Sequence, residues 1–223
     1  MLSDAHRTVA SARPRPVKWL GSFGVVLVLC GASLSLGSRI WFSTRVWSLL
    51  NVPIVLTPGH AGVSEFVPNV EADFTIRLAI DRQVPPSLAD KVLGIGNPFS
   101  SSAEEVHGFK LTWTLRSDGK VVKTSTNDGR GQGYWGSTTG RILGAFHSEQ
   151  GKQYQLNVDV LEDGSQLTPY HPHLKVSVDP FTLDGYAIRN GEMELAGYVT
   201  VGVGAVLLIA AAVIRWRKVT PLA

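Results

Sequence analysis

The 223-residue chain has a single cysteine, Cys30, and it lies inside an apolar run. The long central stretch has none. A domain built from that stretch folds without disulfides and draws its stability from a hydrophobic core. Glycosylation sequons are missing as well, because Asn51, Asn69, Asn97, Asn127, Asn157 and Asn190 all lack the Ser or Thr two positions on. These two absences point to a bacterial envelope protein rather than a eukaryotic cell-surface one. Charge is scarce, at 17% of residues, because two runs carry none at all. The central residues 37–194 hold fourteen basic against seventeen acidic side chains and form no basic stripe. A partner surface for nucleic acid is therefore not expected.

What is present is apolar length. Leu195–Ile214 is twenty residues without a charge. At about 1.5 Å per helical residue it matches a hydrocarbon core of roughly 30 Å. Arg215, Trp216, Arg217 and Lys218 come immediately after it, the basic and aromatic flank of a transmembrane helix. Trp19–Leu36 is a second uncharged run, long enough to span. Three readings fit it: an uncleaved signal-anchor helix, a cleavable signal peptide, or a lipoprotein signal ending at Cys30. Leu27-Val28-Leu29-Cys30 resembles a lipobox, with Leu29 standing where that motif wants a small residue. All three readings export the central stretch.

Seven Lys or Arg lie in the two tails, 1–18 and 215–223, against Asp4 alone. The positive-inside rule then puts both termini in the cytoplasm and the centre outside, across a bacterial inner membrane. The lipid bilayer is one partner. Both tails are too short to hold a signalling domain, and neither apolar run contains an ionisable residue that would mark an ion path.

Residues 37–52 mix Trp41, Phe42, Trp47, Leu49 and Leu50 with Ser, Thr and Arg. They read either as an interfacial helix or as the first strand of the domain. From Pro53 to Pro180 the period becomes two. Ala72, Phe74, Ile76, Leu78 and Ile80 alternate with polar residues, as do Phe109, Leu111, Trp113 and Leu115. Tyr154, Leu156, Val158 and Val160 form a third series, and Leu174, Val176 and Val178 a fourth. Ile142, Gly144 and Phe146 make a weaker one. Asp118-Gly119 is a hairpin turn. A short helix is expected over Ser87–Gly94, with Ser87 as its cap.

The expected architecture is an antiparallel β-sandwich at 53–180, a linker at 181–194, and flanking transmembrane helices at 19–36 and 195–214. Gly151-Lys-Gln-Tyr154-Gln-Leu156 resembles the tyrosine corner of immunoglobulin-like sandwiches. It implies that fold class and no particular family.

Motifs for chemistry are few. In an extended strand His171 and His173 share a side and could reach one metal ion, with His60, His107 or His147 as a third ligand. Leu174, Val176 and Val178 define the inward face, however, so both histidines point outward and read as solvated. Ser117-Asp-Gly-Lys120 has the Ser-x-x-Lys spacing of penicillin-recognising enzymes, but it coincides with a hairpin turn instead of a helix. Asp128-Gly-Arg-Gly-Gln-Gly133 lacks the Gly-Lys-Ser/Thr ending of a phosphate loop.

Tyr134 and Trp135, beside glycines, are the expected partner-binding platform. In the membrane, Ala196, Thr200 and Gly204, with Gly31 and Ser35, are the expected helix-packing positions. No cofactor is implied. The sequence reads as a non-enzymatic membrane protein presenting a sandwich for protein binding, self-association or envelope assembly. The alternatives are a His-metal envelope enzyme and a ligand-sensing accessory subunit.

Overall fold

The computed structural model describes residues 16–94, 108–127, 133–135 and 138–219. Residues 1–15 and 220–223, His107 and the glycine-rich 128–132 lie outside them. The chain forms two compact units. Arg45–Tyr186 make one; the described residues up to Thr44 and those from Ala187 onward make the other.

Among the described residues of the first unit, nine strands and two short helices succeed one another: β1 (Ser48–Pro53), β2 (Gly59–Phe66), β3 (Ala72–Asp81), α2 (Pro86–Leu93), β4 (Leu111–Ser117), β5 (Lys120–Asn127), β6 (Gly133–Trp135), β7 (Thr138–Ser148), β8 (Tyr154–Val160), a 3-10 turn (Ser165–Tyr170) and β9 (His173–Val178). They build a five-stranded sheet in the order β1-β9-β3-β7-β6 and a four-stranded sheet in the order β2-β8-β4-β5. Every pairing is antiparallel. The sandwich expected from the period-two pattern is there.

The pairings nest, β4 with β5, β3 with β7, β2 with β8 and β1 with β9. One long hairpin is folded so that successive pairs fall in alternating sheets, which is jelly-roll connectivity. An immunoglobulin-like order would divide the strands as A, B, E, D against C, F, G. Here the last strand, β9, inserts between β1 and β3, an order that differs from the immunoglobulin one. The local device survives without that fold. Tyr154 is buried, and its hydroxyl accepts the Glu149 N–H at 3.1 Å.

Between the sheets, Phe74, Ile76, Leu78 and Ile80 meet Leu111, Trp113, Leu115 and Leu156, all essentially without solvent contact. Each such side chain contributes about 1.5–3 kcal/mol by leaving water. Phe66, Phe146 and Tyr154 form an aromatic cluster with ring centroids 5.6–6.1 Å apart. Asp118 and Gly119 both have positive φ, 51° and 73°. The β4–β5 turn is therefore of the primed type that Asp-Gly favours.

Three local expectations change. In β7 the pairing with β3 slips between Gly144 and Ile142, leaving Leu143 as a bulge. Gly144 and Phe146 consequently face the core, while Ile142 faces out with Arg77, and Leu143 is the buried residue. In α2 the helix starts at Pro86, one residue before the expected cap, because proline suits the first helical position.

Residues 181–194, read as a linker, belong to α3 (Pro180–Val219). Asp179 caps α3 through the Phe181 N–H at 3.0 Å, with Pro180 as first helical residue. Residues 37–52 divide: α1 (Pro16–Ser43) runs through the first of them, and β1 takes the last.

The second unit is helical. Two helices, Trp19–Ser43 and Pro180–Arg217, are long and apolar enough to cross a membrane. Within this unit α1 and the later part of α3 pack antiparallel through glycine. A Cβ added to Gly24 would lie 2.9 Å from the Gly204 carbonyl oxygen, and one on Gly31 would lie 2.6 Å from that of Gly197. One heptad further, the Ser38 hydroxyl donates to Asn190 Oδ1 at 2.5 Å.

Candidate binding face of the five-stranded sheet

Residues facing away from the core on β1, β9, β3, β7 and β6 are brought into rows by register. One row reads Pro53, His173, Ala79, Gly140, Tyr134; the next reads Asn51, Lys175, Arg77, Ile142. A cavity of about 220 Å³ opens on this face, lined chiefly by Asn51, Asp81, Thr138, His171, His173 and Lys175.

Two features shape it. His171, which ends the 3-10 turn, has φ 47° and donates its N–H to Thr168 O. That left-handed conformation is uncommon for a residue with a Cβ. It accompanies a ring placed with Nδ1 2.8 Å from Asp81 Oδ2. His173 is half-buried, and its Nδ1 is shielded from solvent with no hydrogen-bond partner.

Tyr134 lies over Gly140, where an added Cβ would come 2.7 Å from the phenol oxygen. The Arg77 guanidinium sits 5.4 Å from the Tyr134 ring centroid, within cation–π range. Burial pushes the Tyr134 phenol above its ordinary pKa, opposed by a Thr138 hydrogen bond and by the Arg77 charge. Tyr134 is thus half-buried cover for the sheet. Trp135 is the next residue on the edge strand β6.

The two histidines do line one cavity, but the other described histidines are elsewhere. His60 pairs with Asp159 at 2.8 Å in the four-stranded sheet, and His147 lies between Asp73 and Glu71. Among the described residues, no three His, Cys, Asp or Glu side chains converge as a metal site. Ser117 and Lys120 flank the hairpin turn as register partners, and the buried Ser117 hydroxyl donates to Gln153 O at 2.8 Å.

In the helical unit Gly31, Ser35 and Gly204 lie at the α1–α3 contact. Ala196 is exposed, and Thr200 is half-buried with its hydroxyl turned back to Ala196 O. The contact on α3 runs instead through Gly197 and Gly204.

Arg77, Lys175, Asn51 and Asp81 were not distinguished by sequence reasoning. Each stands at an outward position of an alternating strand, and only the pairing of distant strands collects them. Arg141, fully buried in β7, is a further unforeseen residue. It donates to Leu93 O at 3.0 Å and Phe109 O at 2.9 Å, tying α2 to the start of β4.

No family model and no curated protein matches the chain. Solved structures with partial likeness include a protein from Sulfurospirillum deleyianum, with a TM-score of 0.44 at 13% identity, over 59% of this chain and 97% of that one. A β-glucosidase from Kluyveromyces marxianus in complex with glucose has a TM-score of 0.27 at 16% identity, over 57% of this chain and 12% of that one. Murine APRIL has a TM-score of 0.26 at 11% identity, over 59% and 98%.

Proposed function

We propose that the chain is an integral membrane protein of the bacterial inner membrane that presents its sandwich outside the cytoplasm to bind a protein partner. The observation that carries this reading is the division of the chain into a helical pair and a self-contained sandwich. The helical pair meets through glycine and leaves large apolar side chains such as Leu29, Val206 and Ile209 exposed. In water such a surface would aggregate; in lipid it is the ordinary outer face of a hairpin. Trp19 and Trp216, also exposed, stand near the start of α1 and the end of α3, as aromatic belts do.

The sandwich is suited to presentation because its chain ends are neighbours. Ser48 at the start of β1 is the register partner of Ser177 near the end of β9. A domain inserted between two paired helices needs entry and exit side by side. Tyr134 and Trp135, on a short edge strand, remain the proposed contact for the partner. The runner-up, a histidine-based metal enzyme, has no converging third ligand among the described residues to favour it.

Topology is tested with single reporter cysteines in a Cys30→Ser background, labelled in intact cells by a membrane-impermeant maleimide. Lys120→Cys in the hairpin turn is expected to label without lysis, and Ala223→Cys only after it. An unreactive hairpin site in intact cells would overturn the orientation. For the partner, a photo-crosslinking amino acid at position 135 is expected to capture a second protein; capture of this chain alone would leave self-association in its place.

A further inference from the structure

We infer that the outer face of the five-stranded sheet holds a site for an oxyanion, a phosphate or carboxylate group, gripped by Arg77, Lys175 and His173. Arg77 and Lys175 are direct cross-strand partners in β3 and β9 and face the same side. Like charges in that position repel, and sheets ordinarily relieve them with a carboxylate. Here none lies within ion-pair distance of either cation among the described residues. The one acidic side chain lining the cavity, Asp81, is hydrogen-bonded to His171 Nδ1 at 2.8 Å and not to either cation. This arrangement occurs in a central segment with more acidic than basic residues, so carboxylates are not in short supply.

The donors are also unspent. Arg77 uses Nε on Thr75 Oγ1 at 2.8 Å and its face on Tyr134, while one terminal nitrogen is buried without a partner. His173 Nδ1 is buried without one too, two residues from Lys175 on the same side of β9. Buried polar groups in folded proteins are almost always paired, and an unpaired guanidinium nitrogen is among the costliest to leave so. An oxyanion in the cavity would meet Lys175, His173 and Asn51, and a turn of the neighbouring Arg77 side chain would bring its unpaired nitrogen in as a further donor. Charge-assisted bonds of that type are about twice as strong as neutral ones. The cavity of about 220 Å³ beside the pair, lined by Lys175, His173 and Asn51 but not by Arg77, limits the occupant to a small group or the head of a larger molecule.

The group could belong to a soluble solute or to a lipid headgroup, and two arms separate these sources. The full chain in maltoside micelles, which carry no phosphate, is melted against inorganic phosphate and citrate at constant ionic strength. A soluble source gives a saturable rise in melting temperature with at least one of them. In Lys175→Gln and Arg77→Gln the midpoint of that response moves at least tenfold to higher concentration. A headgroup source gives instead a rise on transfer to phosphatidylglycerol nanodiscs that the same variants lose.

If Arg77→Gln fails to fold, Lys175→Gln and Asn51→Ala decide alone, since both replace residues with solvent contact. The inference is overturned if neither arm shows a rise, or if the variants respond as the parent does.

Discussion

Gly31 of α1 and Gly197 of α3 lie backbone against backbone. A Cβ on Gly31 would stand 2.6 Å from the Gly197 carbonyl oxygen, and one on Gly197 would stand 2.8 Å from that of Gly31. The pairs Gly24–Gly204 and Ser38–Asn190 flank this contact one heptad away on either side. Both helices therefore present their contact positions every seven residues, the spacing of a left-handed antiparallel pair. Gly202, on the same helix as Gly197, has nothing within 4 Å of an added Cβ.

That contrast makes the first prediction. Gly197→Ala puts a methyl 2.1 Å from Ser35 Oγ, which can rotate away, and 2.8 Å from the Gly31 carbonyl oxygen, which yields only if the helices part. The expected cost is about 1–3 kcal/mol, typical of overpacking. Gly202→Ala is expected to be neutral or slightly stabilising, because alanine is the better helix former by about 1 kcal/mol. Thermal unfolding of both variants in detergent, monitored by helical circular dichroism, compares them. Equal melting temperatures would refute the glycine contact.

A second prediction concerns the core. Gly144 faces inward, and a Cβ there would lie 2.3 Å from Trp113 Cζ2. The indole cannot retreat freely, since its Nε1–H donates to Leu143 O at 3.0 Å and it has no solvent contact. Gly144→Ala is expected to destabilise by roughly 1–3 kcal/mol and to shift the Trp113 fluorescence as the ring turns. Denaturant titration checks the first part and emission spectra the second. An unchanged midpoint would mean the ring is not where the bulge at Leu143 puts it.

The same bulge explains where the sequence could and could not be read. β3, β4, β8 and β9 alternate without interruption, and their inward residues were legible from period alone. In β7 one extra residue reverses the phase, so Ile142, Gly144 and Phe146 look like one face in the sequence and are two in the fold.

Asp179-Pro180 is both a strand stop and a helix start, and only the first was visible because Gly185 and Gly191 weaken the helical pattern behind it. Four-residue spacing drew attention to Ala196, Thr200 and Gly204, whereas an antiparallel pair selects seven-residue spacing through Gly197. The jelly-roll order left no local trace at all. It depends on β1 finding β9 across more than a hundred residues, and the Arg77–Lys175 pair depends on the same long-range closure.

His147 supplies a prediction about pH. Its Nδ1 is 2.9 Å from Asp73 and its Nε2 is 3.4 Å from Glu71. The hydrogen bond to Asp73, then that to Glu71, raises its pKa above the ordinary 6.5. A histidine raised on folding contributes stability that is complete below pH 6.5 and fades as pH climbs through the folded value. The ring is largely exposed, so screening keeps the effect small. Proton NMR of the imidazole should show a midpoint above 6.5 that falls back in Asp73→Asn. A midpoint at or below 6.5 in the parent chain would contradict the paired geometry.

The last prediction rests on Lys175 facing Arg77 across β9 and β3. If the two cations are held together for a ligand, the empty chain bears their repulsion as a cost. Lys175→Glu converts it into an opposite-charge cross-strand pair, which contributes about 0.2–1 kcal/mol in sheets. The variant is therefore expected to unfold at higher denaturant than the parent in phosphate-free buffer, and to gain nothing from added phosphate. The stability gain by itself follows from charge pairing on any sheet surface, so the phosphate response is the readout that distinguishes a site. Binding sites trade stability for readiness to bind. A gain on losing Lys175, coupled to loss of the phosphate response, is the signature of that trade. Stability lost in phosphate-free buffer would instead make Lys175 a structural residue of the sheet.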